Sequence, residues 1–119
     1  MKANMFKSVS LILFVATLAQ VPTVAWADGP LSASDIRKLF PGSFYVEVAP
    51  TVNLEVTFTR TGRVSGTTNK GDHDSGRWRL VGNKMCVTFK RWLDRHERCS
   101  SLAFVNAQIK GDGFYAKRH

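Results

Sequence analysis

Two cysteines, three histidines, nine acidic residues and four prolines are all that the 119 residues hold of those types. Each shortage excludes something. Cys86 and Cys99 have no second nearby pair, so no four-ligand zinc pattern is complete. His73, His96 and His119 are scattered and read as separate surface side chains rather than a metal or haem set. Asp72-His73-Asp74-Ser75-Gly76 has the D-x-D-x-G form of half a calcium loop. The bidentate acid required further along is missing, because Arg77, Arg79 and Lys84 occupy that region. No nucleophile elbow, internal repeat or low-complexity tract is present, and no apolar run after residue 27 is long enough to span a bilayer. No metal, cofactor or catalytic residue is therefore expected.

What is present begins with residues 1–27, MKANMFKSVSLILFVATLAQVPTVAWA. Lys2 and Lys7 give a basic start, Val9–Ala19 is apolar apart from Ser10 and Thr17, and Ala25-Trp26-Ala27 offers small residues at both specificity positions of a secretory cleavage site. Gln20 and Pro22 interrupt the run before it reaches membrane-spanning length. No cysteine near the junction offers a lipid attachment point. The expectation is a signal peptide over 1–27 and a single β-rich domain over 28–119, periplasmic or secreted, with no stable membrane insertion. Removing Lys2 and Lys7 takes the formal net charge from +8 to +6. A basic exported chain favours anionic partners, either an anionic envelope component or an acidic protein. In an oxidising compartment an even pair of cysteines forms a disulfide. Closing the 12 residues between Cys86 and Cys99 stabilises a small domain by about 3 kcal/mol in the chain-entropy picture.

Along the domain, Asp28-Gly29-Pro30 reads as a flexible lead-in and Leu31–Phe40 as one short helix. Ser32 or Ser34 can cap it, Asp35 suits its positive end, and Leu31, Ile36, Leu39 and Phe40 can share a face. Pro41-Gly42 stops it. The period then becomes two. Strands are expected over Phe44–Ala49, Asn53–Thr59, from Arg63 to Gly66, Gly76–Val81, Lys84–Trp92, a long and bent Arg98–Ile109, and Phe114–Lys117. Thr67–Ser75 reads as a polar loop, and Thr61-Gly62 and Gly82-Asn83 as turns. The fold class is mainly β: an antiparallel curled sheet or small barrel with one short N-terminal helix. Cys86 and Cys99 then lie across from each other, stapling the outer side of the sheet or a second packed layer.

Asp74–Cys99 carries Ser75-Gly76-x-Trp78, Gly82-Asn83, Cys86-Val87-x-Phe89 with Trp92, and Arg98-Cys99. Upstream stand Leu31-Ser32-x-x-x-Ile36, Pro41-Gly42 and Thr61-Gly62. This pattern resembles a group of short exported proteobacterial proteins of uncharacterised function, a domain-of-unknown-function group. The resemblance covers most of residues 28–119 and implies a fold, but no catalytic residues.

The basic residues are the main functional signal. Arg77 and Arg79 share the wet face of one strand, and Lys90, Arg91, Arg95 and Arg98 cluster beside Trp92 at the adjacent hairpin end. Arginine beside an exposed aromatic suits phosphate or carboxylate binding. Nucleic acid is not the expected partner, since Trp92 alone is no stacking platform and export argues against it. The alternative role for these charges is to blunt a sheet edge. The leading functional expectation is a non-enzymatic binding protein using Arg77, Arg79, Lys90, Arg91, Trp92, Arg95 and Arg98. A second is an inhibitor of a secreted hydrolase, because Ser75-Gly76-x-Trp78 resembles the serine-glycine loop of periplasmic lysozyme inhibitors. Lysozymes are usually basic, so a +6 chain would meet repulsion. A small hydrolase using Asp72, His73 and Ser75 ranks last, because adjacent residues seldom converge in triad geometry. Asp94, His96 and Glu97, in a short charged connection, are as weak a set.

Overall fold

The structure, a computed structural model, describes residues 26–119. The expected leader lies outside the described residues except for Trp26 and Ala27. Trp26, which cleavage after Ala27 would remove, packs partly buried against the core.

The helix α1 spans Ala33–Leu39, with Ser32 as its N-cap. The Ser32 hydroxyl accepts from the Asp35 backbone N–H, and the Asp35 carboxylate accepts from the Ser32 backbone N–H. This reciprocal box satisfies two amides that the first turn leaves orphaned. It also holds the Asp35 carboxyl below the usual range, the Ser32 backbone N–H being the main cause and its hydroxyl the next. Leu31 lies outside the helix but is buried with Ile36, Leu39 and Phe40.

Ten strands form one antiparallel sheet: β1 Gly29–Pro30, β2 Gly42–Ala49, β3 Val52–Phe58, β4 Arg63–Thr68, β5 His73–Val81, β6 Lys84–Phe89, β7 Arg98–Ser101, β8 Ala103–Val105, β9 Gln108–Gly111 and β10 Phe114–Arg118. Their order is β1-β8-β9-β10-β2-β3-β4-β5-β6-β7. The last strand of that order, β7, is joined to β8 at the other end through the single residue Leu102. One nearly continuous strand thus pairs with β6 along its first half and with β9 along its second. This brings the two ends of the sheet together and nearly closes it into a barrel.

Three expectations are corrected. Thr67–Ser75 is not one loop: β4 runs to Thr68, β5 starts at His73, and Thr67 pairs with His73. Arg98–Ile109 is not one strand. It bends at Leu102 and then reverses at Asn106-Ala107, both with positive φ, which is the geometry of a two-residue hairpin turn. The lead-in at Gly29-Pro30 pairs with Phe104 and Ala103, and Leu31 N–H donates to the Leu102 carbonyl.

The core is one cluster. Phe40 stacks on Phe44 at 4.8 Å and meets Phe58 edge-on at 5.1 Å. The helix covers this end of the barrel: Ala33 N–H donates to Asn83 Oδ1 in the β5–β6 turn, and Arg118 donates to the Leu39 carbonyl. Cys86 and Cys99 are directly paired across β6–β7, 4.0 Å apart at Cα, and bonded. Cys86 alternates with the core-facing Met85 and Val87, so the disulfide staples the outer side of the sheet.

Candidate functional site

Two sites emerge along β5. The first is a tethered turn. After β6 the chain makes a short 3₁₀ turn, Trp92–Arg95, in which Leu93, Asp94 and Arg95 have φ of 60°, 56° and 61°. Left-handed backbone costs an L-residue roughly 1–2 kcal/mol, so three in succession must be held from elsewhere. Asp72 and Asp74 do this. The buried Asp74 carboxylate accepts from the backbone N–H groups of Arg91 at 2.7 Å and Trp92 at 2.9 Å with one oxygen, and from Ser75 with the other. Asp72 accepts the Trp92 indole N–H at 2.9 Å and the Arg91 guanidinium at 3.0 Å, and Arg91 also donates to the His73 carbonyl.

Both carboxyls are held low. Desolvation pushes Asp74 upward, and the N–H groups of Trp92, Arg91 and Ser75 together outweigh it. Asp72 is lowered first by the Trp92 indole and then by Arg91. The D-x-D-x-G segment is thereby engaged in clamping a turn, with its carboxylate oxygens facing N–H donors rather than a vacant cation position. Ser75 sits mid-strand. Gly76 lies against the Thr88–Phe89 backbone, and Trp78 donates to the Thr59 carbonyl at 2.8 Å and packs edge-on to Phe58. The Ser75-Gly76-x-Trp78 segment is therefore sheet framework and not a projecting loop.

The second site is a basic depression. Arg63 stands directly opposite Arg77 across β4–β5, and Arg77 opposite Thr88 across β5–β6. These residues, with Arg79, Lys90 and Ser75, surround a depression of about 650 Å³. The expected basic set is divided by its partners. Arg79 makes a bidentate pair with Glu97 at 2.7 Å, Arg91 is taken by Asp72, and Arg98 lies 3.7 Å from Asp94. The Arg79–Glu97 hydrogen bonds, and then their charge attraction, lower the Glu97 carboxyl. Among the described residues no carboxylate lies within 4.0 Å of Arg63, Arg77, Lys90 or Arg95. Trp92 is half-buried and not an open stacking face: its ring lies over Gly66 and 5.0 Å from Phe89.

Arg63 was not in the expected set, although its place immediately after the Thr61-Gly62 turn, at the start of an alternating strand, was a signal for its outward direction. Among the described residues one group of metal-ligating types converges, Cys86, Glu97 and Cys99. Both its sulfurs are in the disulfide and its carboxylate is bound by Arg79. Comparisons with family models, curated proteins and solved structures give no match for this chain.

Proposed function

We propose that the protein is a non-catalytic binding module that takes a phosphate- or carboxylate-bearing partner on the outer face of β4, β5 and β6. One observation carries this reading: Arg63 and Arg77 face each other directly across adjacent strands with Lys90 beside them, and none has a carboxylate partner among the described residues. Like charges in directly opposed positions destabilise a sheet, and a bound anion would relieve that repulsion. Two guanidinium groups flanked by the hydroxyls of Ser75 and Thr88 suit a tetrahedral or planar anion. The leader-like N-terminus and the Cys86–Cys99 disulfide support a periplasmic or secreted location. An anionic envelope component is then the partner at hand.

The test is a salt-titrated binding assay of the purified protein against lipopolysaccharide, peptidoglycan and a soluble polyanion. Binding to one of them, weakened steeply by salt and reduced at least tenfold by Arg63→Glu or Arg77→Glu, is the expected result. Lys117→Glu, on β10 away from the depression, should leave it intact. Binding that is absent, or equally reduced by all three substitutions, overturns the assignment.

A further inference from the structure

The barrel is filled at one end and open at the other. Where α1 covers it, Phe40, Phe44 and Phe58 close the interior. Toward the Trp92 turn, Val46, Leu54, Val87 and Phe114 pack against the core cluster but stay only partly buried. They line a cavity of about 800 Å³ with Val56 and Phe89. That volume is within the range of small-molecule sites. Apolar walls offer water few of the two to four partners it needs, so an apolar occupant is favoured. From Val52 at the rim to Val56 inside, β3 covers a depth on the order of 13 Å at strand spacing. A barrel of about eight strands leaves room for one slender ligand.

The mouth supplies the chemistry of the other end of that ligand. Leu93, 43% exposed, and Val48, 42% exposed, form apolar rim. Arg98 also lines the mouth, held only by a 3.7 Å contact to Asp94, which is itself largely exposed. Of the rim acids, Glu97 is engaged by Arg79, and Asp112 is exposed, its backbone N–H donating to the Ser100 hydroxyl. Slender apolar depth with an arginine at the opening matches a single-chain anionic amphiphile. We infer that the open end of the barrel binds one unbranched acyl chain, tail between β2–β3 and β6 and anionic head at Arg98. This site shares only Phe89 and Glu97 with the lining of the basic depression and does not depend on the anion proposed there.

The purified protein is titrated with N-phenyl-1-naphthylamine, and the bound probe is then displaced with palmitate, with lysophosphatidylglycerol, or with glycerol phosphate. The expectation is saturable one-to-one binding, displaced by palmitate, by the lysophospholipid or by both, and not by glycerol phosphate. The pattern between the first two identifies a free fatty acid or a lipid as the source of the chain. Val87→Phe, which fills the cavity, should weaken binding at least tenfold. Leu93→Asp, at an exposed left-handed position that aspartate tolerates, should fold regardless and weaken it several-fold. Arg77→Glu should leave it unchanged, so loss of polyanion binding and loss of acyl binding are read independently. No saturable probe binding, displacement by glycerol phosphate, or full affinity in Leu93→Asp would overturn the inference.

Discussion

Gly76 sits where the β6 backbone leaves no room for a side chain, and replacing it by alanine is the sharpest test of the barrel's geometry. Its position pairs with Phe89, and a Cβ built there overlaps the Thr88 carbonyl oxygen and lies 2.8 Å from both Thr88 C and Phe89 Cα. All three obstacles are backbone, so no rotamer change removes them. Forcing the strands apart carries an overpacking cost near the top of the usual range, about 3 kcal/mol. The disturbed ladder adds about 1 kcal/mol for a lost hydrogen bond, and the lower unfolded-state entropy of alanine returns roughly 0.5 kcal/mol. The net loss of about 3–4 kcal/mol lowers Tm by roughly 12–32 °C in a domain of this size. Gly66→Ala is the internal comparison. Its Cβ meets the Trp92 ring at 3.0 and 3.4 Å and Val56 Cγ2 at 3.5 Å, all side-chain atoms that can give. Thermal unfolding followed by circular dichroism should rank Gly76→Ala well below Gly66→Ala. Equal Tm values for Gly76→Ala and the parent would refute the close approach of the two strands.

Other perturbations have defined directions. Reducing the Cys86–Cys99 bond should cost about 3 kcal/mol, seen as a large fall in Tm on adding dithiothreitol; an unchanged melt would contradict a stapling role. Phe40→Ala removes the ring that joins Phe44 to Phe58 and should cost about 3–5 kcal/mol in urea unfolding, a loss well under that range meaning the helix end is loosely packed. Asp72 and Asp74 are both held below the ordinary carboxylate range. Their contribution is therefore complete at neutral pH and is lost as pH falls below about 4. Tryptophan fluorescence should report release of the Trp92 turn in acid, and Asp74→Asn should flatten that pH dependence; an acid transition identical to the parent's would sink the clamp.

Much of the fold is legible in short-range pattern. The Leu54, Val56, Phe58 alternation marks β3, Ser32 or Ser34 beside Asp35 marks a helix start, and two cysteines behind a leader-like N-terminus mark a staple. What escaped the sequence depends on distant partners. Asp74 occupies an inward, buried position where alternation calls for an apolar residue, so β5 reads as loop up to Ser75. The N–H groups that make that burial tolerable belong to Arg91 and Trp92, 17 and 18 residues away. Asn106-Ala107 turns the chain without glycine, hiding the β8–β9 hairpin. Nothing in the sequence ranks Arg77, Arg79, Arg91 and Arg98 against one another, yet Glu97, Asp72 and Asp94 pair with Arg79, Arg91 and Arg98 and leave Arg77 without a carboxylate among the described residues. Only cross-strand register brings Arg63 to Arg77.

The two carboxylates that most resembled chemistry in the sequence act instead on the shape of the barrel mouth. Three left-handed residues after Trp92 are unfavourable locally, and a turn of that form would relax without an outside hold. Asp74 provides it by burying one carboxylate against two consecutive N–H groups, and Asp72 by fixing the indole and Arg91. With the indole fixed, the ring rests over Gly66, where any larger residue would press on it, and Leu93 is carried to the rim. The strained turn is intelligible as a device that seats Trp92 and Leu93 at the mouth of the barrel, where both line the cavity.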